Sequence, residues 1–140
     1  MKPEDLMIND WVQNTSHIKG RVIGFRYYQP DEENEIVIDY GNSTSWSSPN
    51  LIEPIPLTGR ILEKNGFEKK YNGYGNDYII YLSYPEREFR LYECFDGYGS
   101  NIVGYGIKIS GNTVEINYLH ELQHALRLCG LTDLANDVKV

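Results

Sequence analysis

The chain reads as an α+β fold: an N-terminal SH3-like small β-barrel followed by an antiparallel sheet with two helices. Three observations predict this. Residues 1–50 carry short apolar runs separated by turns. The segment Leu51-Ile-Glu-Pro-Ile-Pro56 then breaks the pattern, because prolines two apart suit neither a sheet interior nor a helix. Beyond it come longer alternating strands and one clear amphipathic helix. The break divides the 140 residues into a barrel at 1–56 and an α+β subdomain at 57–140.

The elements follow in order. Trp11-Val12, after the turn-prone Asn9-Asp10, opens the first strand. Arg21 to Phe25 is the second, preceded by Gly20. Glu35 to Tyr40 is the third, with Ile36 and Ile38 on one face. Between the second and third lies the polar loop Gln29 to Asn34. Gly41 to Ser48 is a second polar stretch, interrupted by Trp46. Residues 51–56 form an extended linker. Thr58 can cap a helix carrying Ile61 and Leu62, and Asn65-Gly66 stops it.

In the second half, Tyr78 to Leu82, Glu88 to Phe95, Ile102 to Ile109 and Thr113 to Tyr118 are the expected strands. Phe89, Leu91 and Phe95 share a face opposite Arg90 and Tyr92. The last two strands form a hairpin through Ser110-Gly111-Asn112. Tyr118 to Cys129 is an amphipathic helix with Leu119, Leu122, Leu126 and Cys129 on one stripe. Gly130 ends it, and Leu131 to Val138 adds one further turn.

Composition narrows the function classes. Thirteen basic and 20 acidic residues give a net charge of −7. A nucleic-acid binder usually presents a basic face, and Lys69-Lys70 is the only adjacent basic pair, so direct nucleic-acid binding is not expected. The acidic excess suits solubility and a basic partner. Hydrophobic residues make up 41 %, enough for a packed core. Cys94 and Cys129 stand alone on apolar stretches and read as reduced core residues. No signal peptide and no membrane-length apolar run is expected, which makes the cytoplasm the default compartment.

One segment carries chemistry. His120-Glu121-Leu122-Gln123-His124 is an H-E-x-x-H pattern on an expected helix. Residues four apart lie on one helix face, so His120 and His124 can share a zinc ion while Glu121 deprotonates its bound water. A catalytic zinc needs a third protein ligand, however. The longer form of the motif wants Gly and then His further on, where this chain has Arg127 and Gly130. After His124 the only acidic side chains are Asp133 and Asp137, and His17 sits in the other half. The favoured reading is a surface helix whose His120, Glu121, His124 and Arg127 are solvated, with no cofactor expected and zinc as the alternative.

Weaker signals remain. Tyr71, Tyr74, Tyr78, Tyr81, Tyr84, Tyr92, Tyr98 and Tyr105 crowd the second half, and their expected role is packing rather than base stacking. Gly97-Tyr-Gly99 and Gly104-Tyr-Gly106 are too loose for a phosphate fingerprint and suggest a loop and a bulged strand. Trp11 and Trp46 suit barrel core or rim. An exposed Trp beside Asp31, Glu32 and Glu33 would instead form a peptide-binding groove.

The opening Leu6-Met-Ile-Asn-Asp-Trp-Val12 resembles the L-x-I-G-N-W-V start of small uncharacterised proteins of Bacteroides-type bacteria and their phages and prophages. Ile52 to Thr58 is similar to their I-E-P-I-P-L-T segment. Ile61 to Phe67 is similar to I-L-x-K-N-G-F, and Tyr118 to His124 to Y-V-H-Q-L-Q-N. The resemblance touches both halves and implies no activity. That family has Gln and Asn where this chain has Glu121 and His124, which implies a packing helix rather than a metal site. The difference at Asn9-Asp10, Gly-Asn in the family, is expected to affect only a turn.

These readings favour a non-enzymatic protein-binding accessory protein of a phage or mobile element, acting in the host cytoplasm. Trp11, Trp46, Asp31, Glu32 and Glu33 are its candidate surface. The alternatives are a zinc-dependent hydrolase using His120, Glu121 and His124, and an acidic counter-defence protein that mimics or sequesters nucleic acid or a nucleotide.

Overall fold

The computed structural model describes residues 1–27, 33–83, 86–97, 101–109 and 111–140, without the side chains of residues 83, 86 and 109. Asp31, Glu32, Tyr84, Tyr98, Gly99 and Ser110 therefore lie outside the described residues. The chain is α+β, with two antiparallel sheets of five strands each and three α-helices among the described residues. It forms two compact units. One comprises residues 1–56, 118–138 and 140, and the other 57–117 with 139. No helix among the described residues is long and apolar enough to cross a membrane.

The first unit begins with a 3-10 turn at Pro3–Asp5. Its strands are β1 (Trp11–Asn14), β2 (Lys19–Arg26), β3 (Glu35–Asp39), β4 (Thr44–Ser47) and β5 (Ile52–Pro54). They lie in the order β4-β3-β2-β1-β5, and the sheet is not closed into a barrel. A second 3-10 turn, Pro49–Leu51, precedes β5. The core is built from Leu6, Val12, Val22, Ile36, Ile38 and Ile52, with Met1, Phe25 and Tyr40 against it.

Two expectations change here. The polar stretch around Trp46 is a strand, in which Val37 pairs with Trp46 and Asp39 with Thr44. Part of the supposed linker is also a strand, because Val12 pairs with Pro54 and Asn14 with Ile52. β5 is an edge strand, where a proline costs no ladder hydrogen bond on its outer side.

The second unit starts with α1 (Gly59–Lys64), whose Thr58 side chain accepts from the Ile61 N–H as expected of a cap. Its sheet runs β6 (Glu68–Tyr71), β7 (Asn76–Ser83), β8 (Glu86–Phe95), β9 (Ile102–Ile109) and β10 (Asn112–Ile116), each beside the next. β6 is all exposed, so no apolar period announced it. The expected hairpin forms, with Val114 opposite Ile107 and Ile116 opposite Tyr105. Leu62, Phe67, Tyr78, Phe89, Leu91, Tyr105, Ile107 and Ile116 are all buried.

The tyrosines divide between packing and exposure. Tyr78 and Tyr105 meet edge to face at 5.8 Å and are buried, while Tyr71, Tyr74 and Tyr81 are exposed. Burial pushes the Tyr105 phenol up to about 12. The spacing of Gly104 and Gly106 around Tyr105 is explained by packing. A side chain on Gly106 would strike the Tyr92 ring, and one on Gly104 would strike Asn117.

The last two helices, expected with the second half, belong to the first unit. The chain re-enters it at Tyr118, which bridges Pro56, and the Leu119 N–H donates to Ile55 O at 2.9 Å. α2 (Leu119–Leu128) buries Leu119, Leu122 and Leu126 completely. Gly130, at φ 78°, lets the chain turn into α3 (Thr132–Asp137), and Leu131 N–H caps Leu126 O at 2.8 Å.

Candidate functional site

α2 has a second, partly buried face, and it is polar. His120, Gln123, His124 and Arg127 follow one another at helical spacing. The favoured reading has His120, Glu121, His124 and Arg127 solvated; the structure corrects it for His120, which is buried, while Glu121, His124 and Arg127 are partly buried, the last two against Asp10. Just before Asp10, Asn9 adopts a left-handed φ of 72°, which asparagine tolerates better than most residues. The chain then reverses, and the Asp10 side chain turns back to accept from the Met7 N–H at 2.7 Å.

Asp10 is fully buried. One carboxylate oxygen accepts from Arg127 Nη1 at 2.6 Å, and the other lies 2.7 Å from His124 Nε2. An ionised carboxylate only accepts, so Nε2 of His124 carries a proton. A buried carboxylate is tolerated only with such partners. The turn residue expected to matter little is thus the anchor of the helix.

Gln123, also without exposure, joins three segments. Its Oε1 accepts from the Trp11 N–H at 2.9 Å, and its Nε2 donates to Asn9 O at 2.9 Å and Ala135 O at 3.0 Å. Sequence reasoning passed over both residues. One signal existed: Gln123 stands at i+4 from Leu119, at the edge of the leucine stripe, where a polar residue must be satisfied by tertiary partners.

Beside this network lies an open cavity of about 600 Å³. It is lined by Met1, Glu4, Asp5, Pro54, Tyr118, His120, Glu121 and His124. His120 is 7 % exposed, and its Nδ1 is buried without a hydrogen-bond partner. Its ring stacks on Tyr118, with centroids 6.0 Å apart and planes 14° from parallel. Burial pushes the His120 imidazole below its ordinary value of 6.5 and His124 adds to this, while Glu121, Asp10 and Asp5 pull the other way.

The cavity brings together all three residues of the zinc hypothesis, but two of them are occupied. His124 Nε2 is taken by Asp10, and the Glu121 carboxylate accepts from the Tyr118 N–H at the start of the helix. Among the described residues, no three His, Cys, Asp or Glu side chains are grouped to hold a metal ion.

The tryptophans part company. Trp11 is half-buried. Its indole N–H donates to Val138 O at 2.7 Å, and the Arg21 guanidinium covers its ring at 4.7 Å. Arg21 also donates to Asn136 O and Val138 O, so Trp11 clamps the chain's own segment 136–138. Trp46 is 50 % exposed, with the Arg26 guanidinium 4.3 Å over its ring. Glu33 accepts from the Asn50 side chain at 2.9 Å. It borders a second groove of about 480 Å³ with Met1, Lys2, Pro3, Glu4, Asn34, Pro49 and Asn50.

Comparison with protein-family models, curated proteins and solved structures finds no match for this chain.

Proposed function

We propose that the first unit is a non-enzymatic protein-binding module with an SH3-like plan, and that Trp46 anchors its partner. The observation that carries this reading is the half-exposed Trp46 ring, with the Arg26 guanidinium 4.3 Å over it. Trp and Arg are the residues that most often dominate binding energy, and a pre-held ring loses little entropy on association. The SH3-like plan is supported by the strand order β4-β3-β2-β1-β5 and by the 3-10 turn before the last strand. The groove bounded by Glu33, Asn34, Pro49 and Asn50 suits an extended peptide. The resemblance to phage and prophage proteins supports an accessory role of a mobile element in the host cytoplasm.

The hydrolase alternative draws less support, since His124 and Glu121 already have structural partners. The acidic-mimic alternative predicts an association that collapses with salt.

The test is affinity capture from host lysate with the wild type and Trp46→Ala in parallel. A hot-spot tryptophan is worth about 2 kcal/mol or more, so the variant should retain the partner roughly thirtyfold less well. The wild-type complex should also persist in high salt. Equal retention by both proteins would refute the reading.

A further inference from the structure

We propose that the acidic cavity beside the first turn of α2 receives the guanidinium group of an arginine in the partner's extended segment. This rests on the protein-binding reading and names the residue that the module selects. At about 600 Å³ the cavity has the size of a small-molecule site rather than of a lone ion. Three carboxylates line it, from Glu4, Asp5 and Glu121, against one cation, the Met1 ammonium, which already donates to Pro49 O and Ile52 O. A positive ligand is therefore favoured.

His120 is the second, independent observation. Its side chain lines the cavity, yet it is 7 % exposed and its Nδ1 has no partner. Buried polar atoms are nearly always satisfied, and an orphan invites a ligand atom. Burial disfavours the charged form of this ring, and a neutral imidazole carries one lone pair that can accept from an N–H donor. Tyr118, 37 % exposed and stacked on His120, offers a flat aromatic face.

A guanidinium meets all these demands at once. It is planar, permanently charged, and carries five donors suited to carboxylates and aromatic faces. Met1 and Glu4 line both this cavity and the neighbouring groove. A segment lying in the groove can thus place a side chain in the cavity. A metal ion fits less well, because among the described residues no three His, Cys, Asp or Glu side chains are grouped to hold one.

The experiment is an NMR titration of the whole chain, read at the His120 ring signals. The ligands are N-acetyl-arginine methylamide, its citrulline and lysine counterparts, free arginine and zinc. Capped arginine should shift the His120 signals saturably. Citrulline, which is neutral and nearly isosteric, should bind at least about tenfold more weakly, since one charge-assisted hydrogen bond is worth that much. The lysine compound should also bind more weakly. The double variant Glu4→Gln, Asp5→Asn changes two exposed residues and should weaken capped arginine while leaving the fold intact.

Equal binding of citrulline would overturn the proposal, as would tighter binding of free arginine or a response to zinc alone. The titration needs no partner protein and does not involve Trp46. Its failure is therefore distinguishable from failure of the Trp46 test.

Discussion

Each unit holds one nearly buried aspartate against an arginine, and the two pairs behave differently. In the first unit Asp10 is fully buried and Arg127 is 13 % exposed, and they are 117 residues apart in sequence. In the second unit Asp77 meets Arg90 at 2.9 Å, with side chains 10 % and 42 % exposed, on the paired strands β7 and β8. The first pair closes a long loop and ties a helix to an N-terminal turn. The second decorates a sheet that the strand ladder and an apolar core already hold. The same chemistry thus specifies tertiary structure in one place and adds little in the other. Sequence separation and water access make the difference.

The sharpest way to break the first arrangement is Gln123→Leu. It leaves the part-buried Trp11 N–H and Asn9 carbonyl and the buried Ala135 carbonyl without their Gln123 partner. At about 1–3 kcal/mol for each orphan, the first unit should lose about 4 kcal/mol. Urea unfolding followed by the fluorescence of Trp11 reads this directly, with Trp46→Phe as the background to isolate the signal.

The paired substitutions Asp10→Ala and Asp77→Ala come next. The first strands Arg127 and His124 beside a cavity and should cost about 3 kcal/mol. The second should cost about 1 kcal/mol or less, because Arg90 remains solvated and salt screens the pair. Comparable losses from the two variants would remove the contrast.

The smallest effect is that of pH. His120 titrates below its ordinary 6.5 in the folded chain, so the unfolded state binds the proton more readily. The neutral ring's contribution is present above 6.5 and is lost as pH falls through the lower folded value. Denaturant midpoints measured from pH 7.5 to 5 should decline for the wild type. They should decline less for His120→Phe, and parallel curves would show that another group is responsible.

Much of this was legible in the residues themselves. The Thr58 cap, the Gly130 stop, the hairpin at Gly111 and the leucine stripe of α2 were visible because each depends on neighbours within a few positions. β6 escaped notice because Glu68-Lys69-Lys70-Tyr71 is exposed throughout and leaves no apolar alternation. β4 looks like a polar stretch in the sequence because Trp46 is its only large apolar residue. β5 was hidden by Pro54, which an edge position accepts. At the candidate site the spacing of His120 and His124 showed correctly that they share a face. It could not show that Asp10 meets that same face, or that Gln123 reaches Asn9 and Trp11, since these partners lie more than a hundred residues away.

Local order was therefore set by the chain alone: where helices start and stop, which strands alternate, which leucines seek a core. Tertiary structure decided which sheet α2 joins, that its polar face is partly buried against Asp10, and that one tryptophan is spent internally while the other stays accessible. The physical reason is range. Caps, turns and periodicity act over a handful of residues, whereas a buried hydrogen bond is satisfied by whatever atom the whole fold brings within 3 Å.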